Sequence, residues 1–541
     1  MTHSRRNFLQ AAGLAAAPAP APPPRAEFDV AVYGGVPCGI ASAIAAAREG
    51  ARVVLIEPTR HIGGLSTSGI NTAESEHMLV WTIGGIALEF YRRLGDHYAT
   101  GKPEFYFESS VAEKIYLDML REAGVTVKFG LRVEKAATAG ARITSVTLSD
   151  RSTLSASVFI DAGYEGDLMA RAGVPYRFGR ESRAEFNEEA AGVRFETTPV
   201  QAATVDAKGN LLPAITAWAR DLKEGDAHRG VMNYNFRPTF ANDPALRVAI
   251  PKPERYDPAR FALLENWLTA SSAAGRPVKL AQILDFYARR HGKFEVNNKP
   301  AAIISLGHFG GQFDYPDASY TQRERIIADH RDYTLGLFHF LATHPRVPAA
   351  VQAEMQAWGL HRQEFADNRN LPYQLYVREA RRMRGAVVVT QHDVTTDRRK
   401  PDAIGISSHF IDSHHVQRVA VSPHAFVNEG RIWRTSMAYQ IPYRALTPEP
   451  KHCTNLLVPG AASFSHVAFS SYRLESVWMI AGHAAGLAAA LAVSRRQSVQ
   501  RIEVKTLQEK LRAQRQVVDF VPGQPERWTD IRKDTGGPPV V

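Results

Sequence analysis

Two histidines and one arginine near the C-terminal end of the chain stand in contexts that suit proton transfer. His466 lies in the polar segment SFSHVAF, and His414 lies in DSHHVQR beside Asp412, a carboxylate able to orient an imidazole. Imidazole titrates close to neutral pH, so histidine commonly takes or gives a proton in enzymes. Arg473 follows His466 by seven positions, about two turns along one helical face, where it would bind negative charge. We predict His466, His414 and Arg473 as catalytic residues. The alternative is that each histidine is structural, and His415 would point away on a strand.

A glycine-rich loop near the start of the chain predicts a dinucleotide site. Phe28–Tyr33 predicts a buried strand, GGVPCG follows it, and the small residues of 38–49 predict a helix that ends at Gly50. Residues 51–56 predict a second strand, and Glu57 follows it. In such a βαβ unit the helix N-terminus binds a pyrophosphate, and the terminal acid accepts hydrogen bonds from ribose hydroxyls.

The segment after Glu57 favours FAD over NAD. TRHIGGLSTSG adds a second glycine-rich loop, which a domain that binds only NAD rarely needs. The first loop departs from the G-x-G-x-x-G pattern because Val36 occupies its middle position. Two later strands, 158–160 and 456–458, each end in a glycine-containing loop, as if the chain returned to the same domain. The predicted cofactor-binding residues are Gly34, Gly35, Pro37, Gly39, Glu57, Gly63, Gly64, Asp161, Gly163, Gly460 and Ser465.

Stretches along nearly the whole chain resemble one family. They are YGGVPCGIASAIAAAREGARVVLIEP, HIGGLSTSG, FIDAGYEGDLMARAGV, FEVNNKPA, LPYQLYVREARRM, DSHHVQR, YQIPYRAL and NLLVPGAASFSHVAFSSYRLE. The sequence resembles the FAD-dependent oxidoreductases whose bacterial members are often labelled xanthan-lyase-like. Their flavin domain is related to heterodisulfide reductase flavin subunits and fumarate reductase-type flavoproteins.

The resemblance implies an α/β fold. We expect a Rossmann-type, glutathione-reductase-like FAD-binding domain assembled from N- and C-terminal segments, with an inserted α+β substrate domain. It implies non-covalent FAD, with a covalent link at His61 as the lesser alternative. Two departures stand out: the loop after Gly460 lacks a cysteine, and Leu474-Glu475-Ser476 replaces the more usual Met-Glu-Pro. The chain's two cysteines exclude an iron–sulfur cluster, and no metal site is predicted.

Five segments are expected along the chain. Residues 1–25 open with SRRNFL, the twin-arginine export pattern, and continue into an Ala/Pro linker. Residues 26–190 and 401–495 would form the FAD-binding domain, 191–400 the substrate domain and 496–541 a C-terminal tail. The chain is therefore expected in the periplasm or secreted. No later apolar run reaches about 18 residues, so no membrane span is expected.

The middle of the chain gives weaker signals. VMNYNFRPTF predicts a strand, and 321–343 and 349–369 predict amphipathic helices. Asn297 and Asn298 suit a sugar-like pocket or, equally, a turn. The arginines of YVREARRM stand at helical spacing, which is typical of a solvated or salt-bridged helix face; they are Arg378, Arg381 and Arg382.

Composition narrows the function further. The formal charge is +10, but no Lys/Arg-rich run with interleaved aromatics is present, so no nucleic-acid partner is expected. No second dinucleotide loop follows, so electrons would leave to an external acceptor: oxygen, a quinone or a redox protein. We predict an exported FAD-dependent dehydrogenase or oxidase of a small hydroxylated or carbohydrate-like substrate. The alternatives are an NAD(P)-dependent dehydrogenase, a polysaccharide lyase and a flavin-bearing binding protein without turnover.

Overall fold

A computed structural model describes residues 26–434 and 437–527, except for the side chain of Glu76. The predicted twin-arginine signal lies outside the described residues. The strands up to residue 177 are β1 (Phe28–Tyr33), β2 (Val53–Glu57), β3 (Thr126–Phe129), β4 (Val133–Thr138), β5 (Ile143–Leu148), β6 (Thr153–Leu154), β7 (Ala156–Asp161) and β8 (Tyr176–Arg177). The next strands are β9 (Val200–Gln201), β10 (Ala217–Trp218), β11 (Thr239–Ala241), β12 (Arg247–Val248), β13 (Leu284–Ala288), β14 (Phe294–Asn298), β15 (Gly359–His361) and β16 (Arg382–Met383). The last strands are β17 (Ala403–Ser407), β18 (Ile411–Ser413), β19 (Gln417–Ser422), β20 (Ala425–Glu429), β21 (Ile432–Arg434), β22 (Tyr439–Pro442) and β23 (Leu456–Leu457).

The α-helices lie between and after these strands. They are α1 (Pro37–Arg48), α2 (Gly85–His97), α3 (Ser109–Glu122), α4 (Asp167–Arg171), α5 (Arg183–Phe186), α6 (Ala262–Ala273), α7 (Tyr320–Thr343), α8 (Ala349–Ala357), α9 (Gln391–Thr395), α10 (His466–Tyr472), α11 (Glu475–Ser494) and α12 (Val504–Ala513).

A five-stranded parallel sheet carries the predicted cofactor loops. Its strand order is β23-β7-β1-β2-β3, so the C-terminal strand joins the sheet beside the strand that ends at Asp161. In the register, Val32 of β1 faces Leu55 of β2 and Ile160 of β7. All three side chains are buried, as expected for a parallel sheet covered on both faces. The prediction of a Rossmann-type FAD fold closed by the C-terminal segment is confirmed.

Helices α1 and α11 cover one face of this sheet at very close range. A Cβ atom at Gly482 would lie 2.1 Å from the carbonyl oxygen of Cys38, and one at Gly486 would lie 2.2 Å from that of Ser42. Only glycine allows these backbones to touch, which explains the small residues seen in both helices. The small sheet β4-β5-β6 lies over the other face.

The inserted residues form an α+β layer of their own. Sheet β12-β15-β11-β14-β13 packs with α6, α7 and α8 around a second hydrophobic core. A four-stranded sheet, β10-β19-β20-β9, combines strands from both sides of residue 401. It therefore crosses the boundary expected between the substrate domain and the returning FAD-binding segment, although the division into domains itself stays a prediction.

Three local predictions in the middle of the chain are wrong, and one is right. The helix expected over 349–369 ends at Ala357, because Gly359–His361 instead pairs with β12 and β11. In VMNYNFRPTF only its last two residues belong to a strand, Thr239–Ala241. The arginines of YVREARRM lie on no helix, and all three are buried. The helix expected over 321–343 is present as Tyr320–Thr343.

Helix α11 is long and apolar enough to cross a membrane by length and composition alone, with a mean hydropathy of 1.6. The expectation that no apolar run is long enough therefore needs correction. However, 89% of the apolar window is buried inside the protein, so this helix serves as the core element that packs on α1.

Candidate functional site

The first glycine loop forms a cradle at the carboxyl end of β1. Gly34 adopts φ +99°, and a Cβ atom there would lie 2.7 Å from the backbone nitrogen of Gly163. A Cβ atom at Gly39 would lie 1.8 Å from the carbonyl oxygen of Gly34, and one at Gly460 would lie 2.6 Å from that of Ala162. Pro37 is the first residue of α1, whose N-terminus has no side-chain cap. Three backbone segments therefore converge on uncapped helix N–H groups, which suits a pyrophosphate.

Glu57 lies beside this cradle at the end of β2. Its Oε2 accepts a 2.7 Å hydrogen bond from the backbone N–H of Gly35, and its Oε1 accepts one of 2.7 Å from Thr59. Burial nevertheless raises the pKa of Glu57 to about 7. The carboxylate is thus held at the position from which an acid in this fold reaches the ribose.

The second glycine loop is tied to the first turn of α11 by a buried carboxyl that we did not predict. Gly63 and Gly64 adopt φ +98° and +55°, and a Cβ atom at Gly64 would lie 2.1 Å from the hydroxyl of Tyr164. That hydroxyl donates a 2.7 Å hydrogen bond to Glu475, and the hydroxyl of Ser66 donates another of 3.0 Å. Burial raises the pKa of Glu475 to about 8. An acid at the head of an otherwise apolar helix is the signal that would have revealed it.

Three predicted residues near the cofactor loops have partners within the protein. Asp161 Oδ2 accepts a 2.7 Å hydrogen bond from the N–H of Met169, and burial raises the pKa of Asp161 to about 7. Ser465 caps α10 and donates a 2.5 Å hydrogen bond to Glu188. His61 stacks on Tyr373, and its two ring nitrogens lie 3.0 Å from the carboxylates of Glu113 and Asp367; these contacts leave the type of flavin attachment open.

A cavity of about 150 Å³ lies beside the cradle, and the inserted helix α7 forms one of its walls. Gly34, Glu57 and Gly163 line one side, and Tyr320 and Ile327 line the other. Tyr320 also donates a 2.9 Å hydrogen bond to the carbonyl of Val133. The glycine cradle and the terminal acid suit the pyrophosphate and ribose of FAD, and the cavity adjoins both of them. Sequence reasoning missed the contribution of α7, because nothing in its helical pattern points to a cofactor.

A second cavity, which we call the polar cavity, has a volume of about 380 Å³. Four histidines line it, together with four carboxylates and both predicted asparagines: His77, His409, His414, His415, Glu74, Asp285, Glu295, Asp412, Asn297 and Asn298. The aromatic side chains of Trp433 and Tyr287 also line it and are 47% and 42% exposed. In the described part of the chain no group of three or more His, Cys, Asp or Glu side chains is arranged to hold a metal ion.

Arg473 is buried behind one wall of the polar cavity and holds two of the wall's carboxylates. It donates a 2.7 Å hydrogen bond to the hydroxyl of Tyr376 and lies 3.0 Å from Asp412 Oδ2 and 3.6 Å from Glu74. Tyr376 in turn donates a 2.5 Å hydrogen bond to Glu74. Burial opposes ionisation of Glu74, but Arg473 and Arg237 hold its pKa below the usual value. Glu74 and Tyr376 were not predicted from the sequence.

His414 faces this wall, with its Nε2 3.7 Å from Asp412 Oδ2. Burial, and then the charges of Arg378 and Arg473, lower the pKa of His414 well below its usual value. An imidazole in this setting is uncharged at neutral pH, so one ring nitrogen is free to accept a hydrogen bond from a substrate hydroxyl. His415, which we expected to point away, also lines the cavity, and its Nε2 lies 2.7 Å from Glu196.

His466 lies outside the lining of the polar cavity. It is the first residue of α10 and is only 1% exposed. Its Nδ1 lies 2.9 Å from Glu379, and its Nε2 lies 3.1 Å from the hydroxyl of Ser413, the residue before His414. The structure thus places His414 in the cavity lining, and it places Arg473 and His466 behind that lining.

The sequence profile of the family described as FAD dependent oxidoreductase matches residues 29–511. The profile does not separate the xanthan-lyase-like subgroup, which stays a prediction. A comparison with curated proteins gave no match.

Solved structures resemble parts of the chain. Thermovibrio ammonificans THI4 is 22% identical, with 28% of this chain and 63% of that chain covered and a TM-score of 0.21. OxyS anhydrotetracycline hydroxylase from Streptomyces rimosus is 15% identical, with 30% and 38% covered and a TM-score of 0.21. For T. acidophilum thioredoxin reductase the identity is 22%, the coverage 25% and 34%, and the TM-score 0.17. The chain thus spans less than two thirds of each of these proteins, and at such scores none of them bears on its substrate.

Proposed function

Because the chain belongs to the FAD dependent oxidoreductase family, we propose that it is a dehydrogenase or oxidase of a small hydroxylated or carbohydrate-like substrate. The observation that carries this proposal is the lining of the polar cavity. The amide oxygen of Asn297 accepts no hydrogen bond within the described residues, so it is available to a substrate hydroxyl. The exposed ring of Trp433 offers an apolar face of the kind that packs against C–H groups of a sugar.

We assign the proton-transfer role to His414. Bound, non-covalent FAD supplies a two-electron acceptor in this family. FAD held by the glycine cradle and Glu57 would accept the hydride from an alcohol carbon, and Nε2 of His414 would accept the hydroxyl proton, which leaves a carbonyl product. Arg473 holds Asp412 and Tyr376 in place around this imidazole. An external acceptor (oxygen, a quinone or a redox protein) then removes the two electrons.

His466 receives a positioning role in this proposal. It contacts Ser413 and Glu379 and not the cavity, so it acts on the substrate only through the backbone that carries His414. The sequence favoured His466 as the residue nearest the reaction. We assign proton transfer to His414 instead, because the side chain of His466 is buried away from the cavity.

Absorption spectroscopy of the purified protein tests the cofactor part of the proposal. We expect flavin bands that follow the protein peak, and release of FAD on acid precipitation. Glu57→Ala and Gly39→Val should weaken FAD retention, because one removes the ribose acceptor and the other fills the cradle. Anaerobic mixing with a panel of polyols, sugars and their acids should then bleach the flavin. Colourless protein that takes up no added FAD would favour the NAD(P)-dependent or lyase alternatives, and flavin held by His61 in a peptide map would contradict non-covalent binding.

We further propose export by the twin-arginine route. The support is the SRRNFL pattern and the Ala/Pro linker within residues 1–25. Replacing Arg5 and Arg6 with lysine should retain the protein in the cytoplasm, as fractionation and immunoblotting would show. Unchanged export of that double variant would contradict the proposal, and an Arg25→Lys variant serves as the control.

A further inference from the structure

We propose that the substrate of the polar cavity carries a carboxylate and that Arg431 binds it. This inference rests on the proposed function, because it takes the polar cavity as the substrate site. It narrows the substrate class from hydroxylated compounds in general to hydroxy acids, including acids of sugars.

The carboxylates in the cavity wall are already compensated. Glu295 pairs with Arg237 and, at 2.8 Å, with Arg289. Asp285 lies 2.5 Å from the ammonium group of Lys299. Asp412 and Glu74 share Arg473, as described above. The acidic residues of the wall therefore leave no net negative charge that would repel an anion.

Two guanidinium groups remain without such a partner. Within residues 26–434 and 437–527, neither Arg431 nor Arg378 has a carboxylate oxygen within 4.0 Å. Arg431 lines the cavity and lies over the ring of Trp433, 5.9 Å from its centroid. The charge of Arg431 helps to lower the pKa of Glu196, but the carboxylate of Glu196 receives its hydrogen bonds from His415 and Asn428.

Arg378 adds positive charge from behind the wall. It is 1% exposed and donates hydrogen bonds to the carbonyl of Asn233 and, at 2.5 Å, to the amide oxygen of Asn235. Its Nε has no hydrogen-bond partner within the described residues. A buried guanidinium whose hydrogen bonds all go to neutral groups is costly, and the charge of Glu74 offsets only part of that cost. A bound carboxylate would offset more of it.

Three of the four histidines that line the cavity contribute no positive charge at neutral pH. Burial lowers the pKa of His409 to about 3 and also lowers the pKa values of His414 and His415. These three rings are uncharged at neutral pH, whereas the guanidinium of Arg431 keeps its positive charge. A guanidinium pairs with a carboxylate through two parallel hydrogen bonds, and this geometry favours Arg431 as the anchor.

Matched pairs of compounds test the inference. Each pair differs in one carboxylate: D-gluconate with D-glucitol, D-glucuronate with D-glucose, and D-glycerate with glycerol. Binding is followed by the change in absorbance of the bound flavin, and turnover by anaerobic flavin reduction. We expect the acid of at least one pair to bind about 10- to 100-fold more tightly than its neutral partner, the range for a hydrogen bond to a charged group.

Variants then assign this preference to one side chain. Arg431→Gln should abolish the preference for the acid, so that the acid binds no more tightly than its neutral partner, whereas Arg431→Lys should retain part of the preference. Arg220→Gln is the matched control, since Arg220 lies over Trp218 at 4.5 Å, is exposed and is not among the residues that line the cavity. Retained flavin absorbance shows that each variant is folded.

The outcomes separate the inference from the proposed function. Equal or tighter binding of the neutral compound in every pair, or an equal loss of both compounds in Arg431→Gln, overturns the carboxylate inference alone. If no member of any pair binds to the flavin-loaded protein or reduces it, the hydroxylated-substrate proposal and the inference both fail.

Discussion

At the scale of single residues, the arrangement of side chains around the polar cavity depends on charged groups that are buried away from solvent. Arg473 is only 2% exposed. Its guanidinium donates hydrogen bonds to the hydroxyl of Tyr376 and to the backbone carbonyl and the carboxylate of Asp412. Such a network costs desolvation energy and is stable only when each member is satisfied. Burial raises the pKa of Asp412 although Arg473 opposes this, while the pKa of His414 is lowered. The two neighbours are thereby both biased toward their uncharged forms.

His414→Ala should therefore slow flavin reduction by substrate about 10²- to 10⁴-fold, the usual contribution of a positioned acid–base group. Flavin absorbance should remain, because His414 lies away from the glycine cradle. Since the pKa of His414 is lowered, the wild-type rate should stay high below pH 6.5 and fall only at more acidic pH, and this limb should vanish in the variant. Stopped-flow reduction across pH measures both effects.

His466→Ala provides the comparison. A positioning role predicts a smaller loss of rate with the acidic limb retained. A larger loss than in His414→Ala, with the limb abolished, would return the proton-transfer role to His466.

At the scale of elements, the contact between α1 and α11 fixes the cofactor domain. The two helices meet at Gly482 and Gly486, where backbone atoms replace side chains as the packing surface. Because α1 follows the first glycine loop and Glu475 of α11 holds the second one, a shift between these helices would also displace the two loops relative to each other.

Gly482→Val should destabilise the protein by at least about 3 kcal/mol, because its Cβ would meet the carbonyl of Cys38 at 2.1 Å and the helices would have to separate. FAD should be lost at the same time. Ala490→Val, in the same helix at a position that is 9% exposed, is the control and should cost much less. Urea unfolding followed by flavin and tryptophan fluorescence measures both. Equal stability of the two variants would show that the contact tolerates displacement.

The elements that could be predicted are those whose signals are local. The strand β1, the glycine loop, α1 and β2 follow one another within about 30 residues, and each has its own pattern. The arginines of YVREARRM were misjudged because their partners are remote: Arg378 bonds a carbonyl 145 positions earlier, and Arg382 bonds Glu181, 201 positions earlier. Helical spacing could not reveal that these guanidinium groups are buried. Likewise, the residues of Gly359–His361 give no local signal that this segment pairs with β11 on one side and with β12 on the other.

At the scale of the whole molecule, the inserted part of the chain completes the cofactor cavity. Tyr320 bonds β4 through Val133, Arg323 pairs with Asp167 of α4 at 2.8 Å, and Ile327 lines the cavity beside them. Helix α7 thus links the hydrophobic core of the inserted layer to the adenosine end of the site.

Ile327→Glu should weaken FAD binding at least about 10-fold, because it places a carboxylate in a cavity that faces the anionic cofactor. Ile326→Glu is the control, because Ile326 is next to Ile327 in the chain but does not line the cavity. Titration of FAD-depleted protein with FAD, followed by the quenching of flavin fluorescence, measures the dissociation constants. Equal weakening in both variants would show that α7 matters only for folding.

The order of strands in the parallel sheet also has a consequence for synthesis on the ribosome. Asn455, just before β23, bonds the backbone of Ser157 in β7, 298 positions earlier. At roughly 5–20 residues per second, the nascent chain waits roughly 15–60 s between making these two partners. During that interval β7 has an open edge and α1 exposes the face that α11 will cover. The flavin domain of the growing polypeptide therefore stays incomplete until β23 and α11 have been synthesised.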